Sequence, residues 1–474
     1  MPTPALHPDT VVVGAGIAGL ACAALLAEMG LKVLVVESSD APGGRARSWR
    51  HDATGDTIDI GPHILLNKYA NMRALLRRLG TEAQVHWQTE ELLTVLDKGR
   101  HIHFRVGGLP APLHYLRNLP RILPSVPLGQ LLSNVPVAWR TMRSTPADIL
   151  SLDNENGRDY LLRCGVSPAF IDWFWASASI ALLNLPVQAC SAAALMRLFS
   201  QMLGHNDVAF GIPKVGLSDL YAWPCVRIIE GSGQVRCRCA ARAVVWEHGR
   251  ASGIVLADGS RVDAPVVLAV PPTAVPPLLP AAHPMAALAR RFAPSPYVSC
   301  FLWFDRKITT SPFWARPWSP AAYNTDFYDL SNVRPTVPGA GSLVATNIIW
   351  SHRVDDCSDG QLIDATLKEI AEFSALAGRA TLLATAVHRI PMSVPCARPG
   401  IETIRPPTRW EPGLFLAGDW VDTGLPFCME SATRAGALAA EAVLAELGRP
   451  RTLALPPPVP GGLTRLLRRR SGDR

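Results

Sequence analysis

No two of the ten cysteines stand in a Cys-x-x-Cys pair, and the closest spacing, Cys237 to Cys239, is too short for a zinc knuckle. The sequence therefore offers no metal site, and its scattered thiols read as reduced cysteines of a cytosolic protein rather than a disulfide framework. The opening MPTPALHPDT lacks a basic stretch leading into an apolar one, so no secretory signal is expected. A net charge of +7 invites nucleic acid as a partner. Against it, the chain has no RNA-binding motif, no helix-turn-helix signature and no aromatics interleaved with the arginines of its tail, GGLTRLLRRRSGDR.

Two further absences are local. Residues 173–196, WFWASASIALLNLPVQACSAAALM, carry no charge. The run is long enough to raise a membrane span, but Asn184, Pro186 and Gln188 near its middle favour two buried helices. Residues 98–143 hold seven lysines and arginines and not one acid, among leucines, prolines and aromatics. That segment reads either as proline-broken helices with solvated arginines or as a monotopic surface that sets apolar side chains into lipid and basic ones against anionic headgroups.

What is present begins with 474 residues, 48% hydrophobic and 18% charged, an ordered globular chain of about three domains, or two large ones. DTVVVGAGIAGLACAALLAEMGLKVLVVE, residues 9–37, reads as strand, tight turn, helix, strand. Val11 to Val13 form the first strand, Gly14, Gly16 and Gly19 the turn, an Ala/Leu-rich helix runs to about Met29, and Gly30 stops it. One glycine makes the turn, one admits a pyrophosphate to the backbone, and one lets helix and strand approach; Ile17 and Ala18 open the helix whose N-terminus faces the phosphates. Glu37 closes the second strand where a carboxylate accepts from both ribose hydroxyls and repels a 2′-phosphate. An adenine dinucleotide other than NADP follows. Gly43, Gly44 and Arg45 come next, allowing a second close backbone approach and offering a guanidinium to phosphate.

Taken together, GAGIAGL, Glu37, PGGRARS and IDIGPHILL resemble the flavin-containing amine oxidase and phytoene desaturase superfamily. The resemblance implies an α/β fold: a Rossmann-type FAD-binding domain, glutathione-reductase-like, interleaved with an α+β substrate domain, amine oxidase-like overall. It implies FAD as cofactor, with Gly61, Pro62 and His63 in the segment after the flavin loop. Gly418 and Asp419 of AGDWVDTGLPFCMESATRAG match the family's late Gly-Asp, whose carboxylate meets the ribityl and pyrophosphate region. The helix starting near Met429 would point its N-terminus at the flavin pyrimidine edge. Between these lies GQVRCRCAARAVVWEHGRASGIVLADGSRVDAPVVLAVPP, read as short alternating strands with an ADG turn; Ala241 aligns with the residue whose backbone contacts adenine.

The nearest resemblance within the superfamily is to its polyisoprenoid branch: plant-type phytoene desaturases and bacterial squalene-associated desaturases, the hydroxysqualene dehydroxylases. GPHILLNKYANMRALLRRLG, FWASASIALLNLPVQACSAAAL and IPKVGLSDLYAWP carry it. The implied partner is a long polyisoprenoid lipid reached from the cytoplasmic, inner face of a membrane, the protein being peripheral there. No motif names the electron donor or acceptor. The implied chemistry is loss of an allylic hydroxyl as water with hydride from reduced FAD; carotenoid desaturation is the alternative. Amine oxidation lacks an aromatic cage or a motif-placed lysine, and a flavin-free prenyl-protein escort is opposed by the retained glycines, Glu37 and Asp419. His63, Asp422 and Glu430 are candidate proton donors, with duller roles as a backbone partner, a turn brace and a helix cap respectively. Two positions depart from the pattern: Ile60, where asparagine is usual, and Cys428, where a smaller residue is. The expected division is 1–90, 216–289 and 405–449 for the FAD-binding domain, 91–215 and 290–404 for the substrate domain, and 450–474 for a proline-rich linker and basic tail.

Overall fold

The computed structural model describes residues 7–335 and 341–468. The signal expectation at residues 1–6, and Arg469, Arg470 and Arg474 of the basic tail, lie outside the described residues.

Val11 and Val13 face one hydrophobic cluster and Val12 another, so the first strand, Thr10–Val13, is buried on both sides. Only a sheet sandwiched between layers asks for that, and a parallel sheet is the usual answer. It is one of six strands, ordered Gln234–Arg236, Val33–Val36, Thr10–Val13, Val266–Leu268, Leu414–Leu416, Arg409–Glu411. All pairings are parallel except the last. Helices Ile17–Glu28 and Met429–Glu446 cover one face, so close that a Cβ on Gly436 would stand 2.3 Å from the Ala18 carbonyl oxygen. The stretch read as short alternating strands divides between two sheets: Ala241–Glu247, Arg250–Leu256 and Arg261–Asp263 form a small antiparallel one, while Gln234–Arg236, as its edge, and Val266–Leu268 join the large one.

A seven-stranded sheet stands apart, ordered Leu382–Pro395, Pro294–Phe304, Leu343–Ile349, Asp326–Asp329, Phe313–Ala315, Glu91–Asp97, Arg100–Arg105. Its pairings are antiparallel except Phe313–Ala315 on Glu91–Asp97. Side chains alternate along its strands: Phe327 packs with helix Asp359–Phe373 on one face, Tyr328 with the cluster on the other.

Residues 113–203 are largely helical. The uncharged run breaks where the polar residues and proline fall: helix Ala176–Leu183 ends at Asn184 in the left-handed region, φ 59°, and Ala192–Leu203 follows a Ser191 cap. Among the described residues no helix is long and apolar enough to cross a membrane. The proline-rich segment is pinned to the body: Leu455 exchanges two hydrogen bonds with Asn71, and helix Gly462–Leu467 docks through Leu463 N donating to the Ala111 carbonyl at 2.9 Å.

Candidate functional site

One cavity of about 1570 Å³ joins the two sheets to the helical region. Ligand pockets for drug-sized molecules need roughly 300–1,000 Å³, so this one has room for a dinucleotide and a second long molecule. At one end it is lined by Gly14, Gly16, Ile17, Ala18, Glu37, Gly43, Gly44, Arg45, Pro62, His63, Ala241, Gly418, Asp419 and Met429. At the other it is walled by Leu113, Leu116, Leu132, Val135, Trp139 and Met142. Segments 400 residues apart in sequence thus front the same space.

The glycine loop is arranged for a phosphate. Gly14 turns at φ +104°, Gly19 lies against the Gly14 carbonyl, and a Cβ on Gly16 would meet nothing within 4 Å, projecting into the open cavity. Gly16 caps helix Ile17–Glu28 without a side-chain bond, and no acid occupies the first turn, so the amides there stay available to an anion. Helix Met429–Glu446 opens with a cap, Cys428, that also makes no side-chain bond, although it carries Glu430 in its first turn. Two uncapped helix N-termini facing one cavity fit FAD, whose pyrophosphate and reduced ring both carry negative charge.

Glu37 fronts the cavity and also holds the loop: Oε2 accepts from Ala15 N and Oε1 from Ser39 N, both at 2.8 Å. Arg45 makes a two-point contact with Asp419, Nη2 to Oδ1 at 2.8 Å and Nη1 to Oδ2 at 3.2 Å. This pair ties the second glycine turn to the late Gly-Asp across the cavity floor. Burial opposes the Arg45 charge, but Asp419 outweighs it and keeps the guanidinium protonated.

Gly61 lies just behind the lining, where a Cβ would stand 2.5 Å from the Ser299 hydroxyl. Sequence reading missed two supports of the site. Tyr221 donates to the Gly43 and Ala46 carbonyls, and Arg405 donates to the carbonyls of Asp419 and Val421 while its guanidinium lies 4.7 Å from the Phe427 ring centroid. Tyr221 lies within IPKVGLSDLYAWP, but nothing in that stretch announces its target; Arg405 sits in no motif, and both reach their targets through the fold.

The three candidate acids fare differently from expectation. Asp422 is exposed, does not line the cavity, and accepts from Gly424 N at 3.1 Å, bracing a turn. Glu430 is buried behind the lining, accepting from Asn71 N and Nδ2 and from Met72 N, where it caps helix Ala70–Leu79. Helical spacing explains it: Met429 and Ala432 share the cavity face and Glu430 is rotated off it. His63 lines the cavity, but its Nδ1 lies 2.7 Å from the Gly61 carbonyl, which only accepts, so Nδ1 carries the proton. Burial lowers the imidazole below its usual range, leaving Nε2 bare, a base and not an acid. Burial pushes the Cys428 thiol up to about 11, so it stays protonated and packs.

The mouth matches the acid-free stretch. Leu116 is 54% exposed, Leu132 and Val135 56%, and Leu466 of the docked C-terminal helix 79%. Leu109, Leu113, Tyr115, Leu123, Leu128, Trp139 and Leu463 are also exposed, with Arg105, Arg117 and Arg140 among them. Isolated apolar residues on a surface are ordinary; a contiguous set around a cavity mouth marks a contact surface.

The sequence profile of the family described as "Flavin containing amine oxidoreductase" matches residues 17–444. The chain is 28% identical to 15-cis-phytoene desaturase of Solanum lycopersicum, over 94% of this chain and 79% of that one. It is also 28% identical to hydroxysqualene dehydroxylase of Rhodopseudomonas palustris, over 92% of this chain and 98% of that one. Among solved structures, cyclohexylamine oxidase from Brevibacterium oxydans superposes with a TM-score of 0.69 at 20% identity, covering 94% of this chain and all of the other.

Proposed function

We propose, from the premise that this chain belongs to the flavin-containing amine oxidoreductase family, that its FAD reduces an allylic polyisoprenoid alcohol, hydroxysqualene, to squalene. Membership makes the protein an FAD-dependent oxidoreductase with the amine oxidase-like fold; the substrate is the proposal. The observation that carries it is the continuity of one large cavity from the glycine loop to a mouth ringed by exposed leucines. A thirty-carbon chain leaving a bilayer through water would face on the order of 20 kcal/mol, at about 0.8 kcal/mol per CH₂. An apolar, basic mouth seated on the cytoplasmic face of a membrane removes that step, with residues 98–143 and helix Gly462–Leu467 as the contact surface.

In this reading Gly14, Gly16, Ile17, Ala18, Gly43 and Gly44 bind the pyrophosphate, Glu37 the ribose, and Ala241 the adenine through its main chain. Gly418, Asp419 and Arg45 hold the ribityl side, and Met429 begins the helix aimed at the flavin. Reduced FAD, when bound, supplies a hydride. The chain's part is to hold the allylic carbon against the flavin, exclude water from the cation, and protonate the departing oxygen.

Phytoene desaturation is the second reading, supported by the Solanum lycopersicum relative. Purified FAD-loaded protein, offered each lipid anaerobically, separates the two. Squalene released from hydroxysqualene only when the flavin is reduced beforehand supports dehydroxylation. Bleaching of oxidised flavin by phytoene, with no squalene from the alcohol, refutes it.

A further inference from the structure

We infer that Asp326 is the carboxylic acid that hands its proton to the hydroxyl oxygen leaving the substrate, an inference that rests on the dehydroxylation reading. Asp326 opens strand Asp326–Asp329, is buried, and lines the cavity together with Tyr328, two residues on and on the same face. Tyr328 Oη donates to its Oδ2 at 2.7 Å and Thr325 Oγ1 to its Oδ1 at 3.0 Å. Across the sheet it is in register with Asn347, whose Nδ2 donates to the Pro62 carbonyl at 3.3 Å. The acid is thereby fixed beside the segment Gly61 to His63, which the resemblance sets against the flavin.

Two comparisons within the fold support the assignment. Asp329, at the far end of the same strand, is equally buried, but Ser331 and Ser342 hold it and it does not reach the cavity. Asp419 reaches the cavity but is neutralised as an anion by Arg45. Asp326 is held by hydroxyls as Asp329 is, but it reaches the cavity, and unlike Asp419 it makes no ion pair among the described residues; the cavity-lining Arg316 beside it turns to Glu372 at 3.1 Å. The titratable groups that face it are the phenols of Tyr328 and Tyr297, both kept protonated by burial. Burial is the largest influence on this carboxyl and raises its pKa, against the opposing bonds from Tyr328, Thr325 and Asn347, so the site favours the protonated form more than water does.

The step balances. The O–H bond of the carboxyl breaks, the proton joins the hydroxyl oxygen, the C–O bond breaks with its electron pair leaving on water, and an allylic cation remains. Reduced FAD, when bound, would supply the hydride, two electrons and one proton, that quenches the cation; Asp326, now a carboxylate, regains a proton from solvent between turnovers.

The test compares full-length, FAD-loaded wild type with Asp326→Asn, which keeps the shape and loses the proton. With reduced flavin and hydroxysqualene, squalene formation in a single turnover should fall by roughly 10²–10⁴-fold. FAD content and melting temperature should be unchanged, and a protonated-carboxyl C=O band present in the wild-type infrared spectrum at neutral pH should be absent from the variant. Tyr328→Phe keeps the acid and should slow the step far less. Asp326→Asn forming squalene within about threefold of wild type overturns the inference, since a proton donor contributes at least a hundredfold; so does a spectrum with no such band. Wild type that forms no squalene at all defeats the dehydroxylation reading instead, and the proton donor assigned within it.

Discussion

At its glycine-loop end the cavity is walled by backbone amides and by side chains already committed to one another: Glu37 to Ala15 and Ser39, Arg45 to Asp419, Arg405 to the carbonyls behind them. At its mouth the wall is leucine, valine and tryptophan on short helices, about half exposed, with the Arg143 guanidinium lying over the Trp139 ring. The first end is finished by folding, and the second is finished only by what it touches. A polar ligand with fixed geometry needs preorganised donors; a flexible hydrocarbon needs only continuity of apolar surface.

The sharpest way to separate the ends is at two glycines of one loop. Gly16→Val should leave the melting temperature of the cofactor-free protein nearly unchanged, because its side chain enters open space, yet abolish FAD binding, read as a colourless purified protein. Gly14→Val should instead destabilise the fold by about 1–3 kcal/mol or more, because its Cβ would stand 2.6 Å from the Ala269 carbonyl at a positive φ. At the mouth, replacing Leu116, Leu132 and Val135 together by glutamate should weaken vesicle binding by about 10- to 150-fold per residue, from about 1.5–3 kcal/mol for each side chain fully buried in lipid. FAD content should not move, and substrate delivered in detergent should still turn over.

A smaller effect is expected from charge. Changing Arg117, Arg121, Arg140 and Arg143 to glutamine should cost about 1 kcal/mol, or fivefold in vesicle affinity, per residue on anionic lipid and nothing on neutral lipid. Smallest of all, Asp422→Asn should change stability by less than about 0.5 kcal/mol and leave turnover intact, since the residue is exposed and off the cavity.

The dinucleotide turn was legible because its requirements are local. Three glycines, a strand and an acid in register are all within thirty residues, and each answers to one atom of backbone geometry. Asp326 was not legible, because nothing near it in sequence announces a site; only pairing with Asn347 and the alternation of a remote strand bring it to the cavity. Glu430 was misread for a related reason. It belongs to a flavin motif, but a helix turns successive residues by about 100°, and membership of a motif does not say which way a side chain points. The C-terminal segment was read as a proline-rich linker and basic tail from its composition, which does not show the two hydrogen bonds with Asn71 and the one to Ala111 that hold it in place.

The sheet holds one more consequence. Leu414–Leu416 lies beside Val266–Leu268, with Thr10–Val13 on that strand's other flank, and Arg45 waits for Asp419. During synthesis the nascent polypeptide must therefore stay open until nearly all of it has emerged from the ribosome, its early strands exposed and its prosthetic group without a home. Such late closure favours slow maturation and dependence on chaperones. Flavin supply at the moment of release, more than the intrinsic stability of the finished enzyme, would then govern how much active protein a cell obtains.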